Sequence, residues 1–248
     1  MSTAIHINSL TKRYKDTDTL AVDNINMEIP IGQMYGLLGP NGAGKTTTVS
    51  MLCSLLRPTS GKIDILGKEL SLNLNEIRKL IGVVPQDIAL YDNLTAIENL
   101  NFFGRMYGMK GNLLKERTNE FLKIFGLAEK SDQKISTYSG GMKRRINLIT
   151  GILHMPEVLF LDEPTVGIDV QSRTVIMEYL MKLQKEGMTI VYTSHHMEEA
   201  EKYCSQIAII DQGSIIEHGV PDELVKKHTG CANLEEIFLK LTGRKLRD

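Results

Sequence analysis

The chain has 248 residues, 42% hydrophobic and 24% charged, ordinary proportions for a protein that folds along its whole length. A net charge of −1 gives no global attraction for nucleic acid or an anionic membrane surface. Three scattered cysteines, Cys53, Cys204 and Cys231, argue against a disulfide framework or a zinc site and fit a reducing cytosol. Without a basic-then-apolar start or a run of eighteen apolar residues, the chain is expected neither to span a membrane nor to be exported.

Ile25, Met27 and Ile29 alternate with Asn26 and Glu28, the period-two pattern of a half-buried antiparallel strand, so the start reads as a small β-layer. Residues 34–38, M-Y-G-L-L, are continuously apolar, as a strand buried on both faces requires, and run into a glycine-rich loop. Residues 45–56 read as a helix ended by R-P-T-S-G, Ile63 and Ile65 alternate beyond it, and 81–84 form a short strand.

Thr95 and Glu98 have capping-box spacing, and the helix they open places Ile97, Leu100 and Phe103 at helical intervals. Phe121, Leu122, Ile124 and Phe125 precede a helix-ending Gly126, and Met142, Ile146, Ile149 and Leu153 recur at i, i+4, i+7 and i+11. Pro156 stops this helical block. Residues 158–161 then restore a buried strand that ends in Asp162-Glu163-Pro164.

A helix over 171–185, a strand over 189–192, a short helix over 197–204 and a hairpin of 207–210 with 214–217 follow. Leu234, Ile237, Phe238 and Leu241 make a last amphipathic helix before the basic stretch 243–247. The expected fold is α/β. A mostly parallel P-loop core (1–86 and 156–225) carries an N-terminal antiparallel β-layer, an inserted α-helical subdomain (87–155) and a C-terminal helix and tail (226–248).

Residues 39–46, G-P-N-G-A-G-K-T, match G-x-x-x-x-G-K-[ST] between a buried strand and a helix. Gly39, Pro40, Asn41, Gly42, Ala43 and Gly44 form a loop whose N–H groups can wrap phosphates, and the following helix presents its positive end. Lys45 is placed to reach the β- and γ-phosphates, Thr46 to offer a hydroxyl to Mg²⁺, and Thr47 to bond the α-phosphate. ATP or GTP is the expected ligand.

Asp162, at the carboxyl end of a buried strand, suits Mg²⁺ held through water, and Glu163 beside it suits a base that orients the attacking water. Gln86 follows another strand end, where a neutral amide can touch Mg²⁺ or water without adding charge. His195 and His196 follow a third, where an imidazole can bond a γ-phosphate oxygen.

A second glycine motif, T-Y-S-G-G-M-K-R-R, occupies 137–145. Ser139 is a good N-cap, and Gly140 and Gly141 leave first-turn N–H groups open to an anion. Lys143, Arg144 and Arg145 then oppose the helix dipole at about 0.3–1 kcal/mol each when exposed. From the residues alone, an anion site and a solvated basic face are equal alternatives.

The P-loop, Gln86, S-G-G at 139–141, L-F-L-D-E-P at 159–164, Gly167-Ile168-Asp169 and Ser194-His195, in this order, resemble the ATP-binding subunits of ABC transporters over nearly the whole chain. The resemblance implies ATP and Mg²⁺ as cofactors and a Mg-dependent ATPase coupled to transmembrane transport. Gly39 to Thr47 correspond to Walker A, with Thr46, Gln86 and Asp162 toward the metal. Glu163 corresponds to the catalytic base and His195 to the switch histidine.

By the same resemblance Tyr14 stacks on adenine, while Ser139, Gly140, Gly141 and Asp169 belong to the interface between subunits. It further implies a head-to-tail homodimer around two ATP molecules, bound to a separate integral membrane permease contacted through the helical block, especially 87–95. The subunit would then lie peripherally on the inner face of the membrane. The Y-S-G-G-M form, E-N-L-N-F-F-G-R-M-Y-G and S-H-H-M-E-E-A-E are similar to the drug- and antibiotic-export subgroup. An importer ATPase and a non-transport mechanical ATPase are the alternatives.

Overall fold

The computed structural model describes residues 2–15 and 17–243; of the basic stretch 243–247, all but Gly243 lies outside the described residues. The chain opens with β1 (Thr3–Arg13), β2 (Leu20–Pro30), β3 (Met34–Leu38) and α1 (Lys45–Leu52). Next come β4 (Ser60–Ile65), β5 (Lys68–Glu69), α2 (Leu74–Leu80) and β6 (Ile81–Val84). Three helices follow, α3 (Ala96–Met106), α4 (Gly111–Ile124) and α5 (Gly140–Ile152). The remainder alternates: β7 (Val158–Asp162), α6 (Val170–Lys185), β8 (Thr189–Ser194), α7 (Met197–Tyr203), β9 (Gln206–Asp211), β10 (Ser214–Gly219), α8 (Pro221–Lys227) and α9 (Leu234–Thr242).

Two sheets form. The smaller has the order β2-β1-β4-β5 and is antiparallel throughout, with Ile5 opposite Ile29 and Ile7 opposite Met27. Ile25, Met27 and Ile29 are buried and Asn26 and Glu28 exposed, as the alternation predicts. The larger sheet has the order β10-β9-β3-β8-β7-β6, parallel except for the hairpin strand β10 at its edge.

Every residue of β3, β7 and β8 is buried, because both faces of this sheet are covered. Met34, Leu38, Ile190, Tyr192, Ile207 and Ile209 pack into one cluster with the helices of the 96–153 block and with α6, α7 and α9. Tyr35, Leu37, Phe160, Val191 and Ile210 pack into a second with α1 and the small sheet.

Helix α1 packs against β2 and β7 with Thr48, Met51 and Leu52 completely buried; truncating Met51 or Leu52 to Ala should cost about 2–5 kcal/mol. It ends at Leu52 rather than at residue 56. Leu55 and Leu56 continue the apolar run, but Ser54 takes a left-handed φ of 57°, which breaks the helix.

Helix α5 meets β6 backbone to backbone. A Cβ on Gly82 would lie 2.1 Å from the Gly151 carbonyl, and one on Gly151 would lie 2.5 Å from a Val84 methyl. This close seat fixes the helix that begins at Ser139 against the strand that leads to Gln86. Among the described residues, no helix is long and apolar enough to cross a membrane.

Candidate nucleotide site

The parallel strands β3, β6, β7 and β8 end on one side of the sheet, and their carboxyl ends carry the loop 39–44, Gln86, Asp162-Glu163 and Ser194-His195. Such a crevice is where open α/β sheets bind ligands. The loop depends on glycine at two crowded points. Gly39 (φ 153°) and Gly44 (φ 110°) are positions where a Cβ would lie 2.2 Å from the Ile210 carbonyl and 2.5 Å from the Ala21 carbonyl.

Lys45 is 4% exposed, and its ammonium donates to the carbonyls of Gly39 (2.9 Å) and Pro40 (3.2 Å), so it arches back over the loop. The same nitrogen lies 3.3 Å from Glu163 Oε1. A cleft of about 340 Å³ opens here between Asn41, Gly42, Gly44, Thr46, Thr47, Gln86 and Glu163. Ala43 is buried and does not line it. Tyr14, 44% exposed, reaches the rim, its hydroxyl 3.3 Å from Thr47 Oγ1. A wider groove of about 540 Å³, lined by His6, Asn26, Glu28 and His218 among others, contains none of these groups.

Glu163 is the meeting point of the site. Besides Lys45, the Gln86 amide donates to its Oε2 at 3.4 Å, and His195 Nδ1 lies 3.2 Å from its Oε1, without the alignment of a hydrogen bond. The residue is buried and holds a left-handed φ of 47° directly before Pro164. A non-glycine residue in that region is strained by about 1–3 kcal/mol, a strain that clusters at functional positions. His196 has no ion pair with Glu163; its backbone N–H donates to Ser194 Oγ at 2.9 Å and its ring lies against that of His195, centroids 4.0 Å apart. Of the two histidines, His195 is the one beside the carboxylate.

At the second glycine motif Ser139 caps α5, accepting from the Met142 N–H at 3.3 Å. Gly140 faces open space, whereas a Cβ on Gly141 would lie 2.5 Å from Ser172 Oγ and 2.9 Å from Asp169 Oδ2. Asp169 caps α6, accepting from both the N–H and the hydroxyl of Ser172 at 2.8 Å, and these bonds hold its carboxyl below the usual range.

The three cations after the motif form neither a solvated face nor an open anion site; each is engaged within the chain. Lys143 pairs with Asp92 at 2.7 Å, and Arg145 donates to the Phe125 carbonyl at 2.8 Å. Arg144 is buried and donates to the carbonyls of Gln86 (2.6 Å), Pro85 (3.4 Å) and Val166 (3.4 Å). These acceptors offset the dipole penalty that the sequence alone leaves unexplained.

Two further residues join the site without a motif to announce them. Thr193, on β8, donates from Oγ1 to Asp162 Oδ1 at 2.6 Å and accepts from the Glu163 N–H at 2.9 Å. Glu199, on α7, accepts from Thr165 Oγ1 at 2.9 Å and from the Tyr192 hydroxyl, and it lies 3.1 Å from an Arg173 nitrogen. It ties the segment after His195 to the segment after Glu163. Neither stands out in the sequence: Thr193 is one of several hydroxyl residues in the strand T-I-V-Y-T-S, and Glu199 is one of three acidic residues within 198–201 that no spacing singles out.

The sequence pattern of the family described as ABC transporter matches residues 22–166. The linearmycin resistance ATP-binding protein LnrL of Bacillus subtilis is 48% identical over 225 residues, which cover 88% of this chain and 72% of that protein. The Nod factor export ATP-binding protein I of Cupriavidus metallidurans is 34% identical over the full length of both chains. Among solved structures, the dimeric post-hydrolysis form of the ATP-binding cassette MJ0796 bound to ADP and Pi superposes with a TM-score of 0.80 at 28% identity, covering 87% of this chain and 98% of that one. The fold thus matches that of known ATP-binding cassettes, and the chain belongs to the ABC transporter family as one of its nucleotide-binding ATPase subunits.

Proposed function

We propose that this subunit hydrolyses ATP with Mg²⁺ to power export of a drug, antibiotic or other small molecule or lipid through a separate membrane permease on whose inner face it sits. It works as a head-to-tail homodimer enclosing two ATP molecules. The observation that carries the chemistry is the placement of Lys45, Gln86 and His195 around the Glu163 carboxylate. Resistance and export in the names of two relatives support the direction of transport.

In this reading the N–H groups of the loop 39–44, Pro40 excepted, and Lys45 hold the phosphates, Thr47 the α-phosphate, and Tyr14 stacks on adenine. Thr46, Gln86 and Asp162 offer a hydroxyl, an amide oxygen and a carboxylate, an all-oxygen set that suits a hard cation retaining several waters. Magnesium, when bound, neutralises developing charge on the phosphates. Glu163 orients the attacking water and takes its proton, and His195 bonds the γ-phosphate. Ser139, Gly140, Gly141 and Asp169 complete the site of the second copy, as one chain carries one P-loop and one S-G-G turn.

Glu163→Gln with ATP and Mg²⁺ tests both halves. Sedimentation should find a dimer, ATP affinity should persist, and turnover should fall by about 10²–10⁴, the usual contribution of a general base. A monomer at high concentration overturns the dimer, and wild-type turnover overturns the base. Lys45→Ala, by contrast, should lose ATP binding itself.

A further inference from the structure

We propose that Arg144 is a positioning residue that couples the ATP site built by this chain to the S-G-G turn the chain offers to its second copy. This coupling rests on the head-to-tail arrangement proposed above. The guanidinium is 5% exposed and bonds three backbone carbonyls from two separate loops. One loop holds Pro85 and Gln86, whose side-chain amide donates to Glu163 Oε2 at 3.4 Å. The other holds Val166, whose N–H donates to the Glu163 carbonyl at 3.3 Å.

Both loops that Arg144 grips therefore touch Glu163, on its side chain and on its backbone. Arg144 itself stands on the first turns of α5, three residues beyond Gly141. A shift of either loop when the γ-phosphate is gained or lost thus acts on the helix that carries Ser139 and Gly141. One turn further on, Asn147 donates to the Pro85 carbonyl at 3.4 Å and accepts from the Ala89 N–H at 3.1 Å, fastening the same loop a second time.

The chemistry of the side chain fits this task. A planar guanidinium presents five N–H donors in a fixed fork that can hold two loops in one set geometry, whereas an ammonium offers three donors on a flexible stem and fixes that geometry less well. Burial lowers the pKa of Arg144, and the nearby carboxylates of Asp87 and Glu163 oppose that shift. A buried cation is costly where packing alone is needed. Its three carbonyl bonds give the charge a use.

The test compares wild type, Arg144→Gln and Arg144→Lys as full-length protein, each also in the Glu163→Gln background. Binding of a fluorescent ATP analogue to the monomer reports folding and the chain's own site. Arg144→Gln should keep that affinity within about twofold. It should lower kcat at least tenfold, weaken ATP-driven dimerisation of the Glu163→Gln form at least tenfold, and flatten any sigmoidal dependence of rate on ATP.

Arg144→Lys should fall between the two, recovering part of kcat. If Arg144→Gln does not fold, Arg144→Lys decides: a kcat loss of about threefold or more with analogue affinity retained supports the coupling. Wild-type kcat and dimerisation in the folded variants overturn it, as does loss of analogue affinity in step with kcat. If wild type and Glu163→Gln themselves never dimerise, the head-to-tail arrangement fails instead, a result distinguishable from failure of Arg144 alone.

Discussion

The hydroxyl of Thr193, on β8, donates to Asp162 at the end of the adjacent strand β7, at 2.6 Å. The same oxygen accepts the Glu163 N–H at 2.9 Å, so one side chain sets the carboxylate proposed for the metal and the backbone of the proposed base. Thr193→Val keeps the shape and removes both bonds. Leaving a buried N–H and a buried carboxylate oxygen unpaired should cost about 1–3 kcal/mol of stability. Urea unfolding should show that loss and ATPase assays a kcat at least tenfold lower, with both restored in Thr193→Ser; an unaffected kcat in Thr193→Val would remove Thr193 from the site.

Much of this arrangement was legible in the sequence. Runs such as 34–38 and 158–161 announced strands buried on both faces, and the capping box of Thr95 and Glu98 forms with both reciprocal bonds. The residues at strand ends converge because parallel strands end together, a consequence of topology that order along the chain already implied. What escaped reading depends on contacts between distant segments. The acceptors of Arg144 lie 58, 59 and 22 residues away, and no local periodicity distinguishes a buried cation from a solvated one. Helix α2 and the two-residue β5 carry no pattern of their own, since such short elements are held by tertiary contact.

Gly140 and Gly141 stand side by side and should respond in opposite ways. A methyl on Gly141 would press on Ser172 and Asp169 of its own chain, so Gly141→Ala should lose about 1–3 kcal/mol of monomer stability. A methyl on Gly140 meets nothing within 4 Å among the described residues. Gly140→Ala should therefore leave the monomer's thermal midpoint unchanged or slightly raised, yet abolish ATP-driven dimerisation in the Glu163→Gln background. Normal dimerisation of that variant would mean that the S-G-G turn does not face a second copy.

Three aromatic rings gather just beyond Gln86. Tyr91 and Phe102 meet edge to face at 5.0 Å, Phe102 and Phe103 at 5.4 Å, and exposed Ile88 and Met106 belong to the same helical block. If the permease docks on this block, Phe102→Asp should prevent co-purification of the subunit with its membrane partner while ATP hydrolysis by the isolated subunit stays within twofold. Cross-links from Cys substituted at Tyr91 should reach the permease. Cross-linking confined to the small β-sheet would place the docking surface elsewhere.

His154, after the end of α5, stacks on Tyr107 with ring centroids 3.6 Å apart, and its Nε2 lies 3.0 Å from the Ile81 carbonyl. Burial is the main cause that depresses its pKa to about 4; the Ile81 bond opposes the shift and Arg117 adds to it. The unfolded chain, with an ordinary imidazole near 6.5, therefore binds more protons than the folded one between pH 6.5 and 4. Folding stability should be fully present above pH 6.5 and fall as pH drops through this window, by up to about 3 kcal/mol from this group, before levelling below pH 4. His154→Gln keeps a donor for Ile81 but cannot charge. In urea titrations from pH 7 to 4 the variant should lose less stability than wild type, and parallel pH profiles would show that His154 does not carry the acid sensitivity.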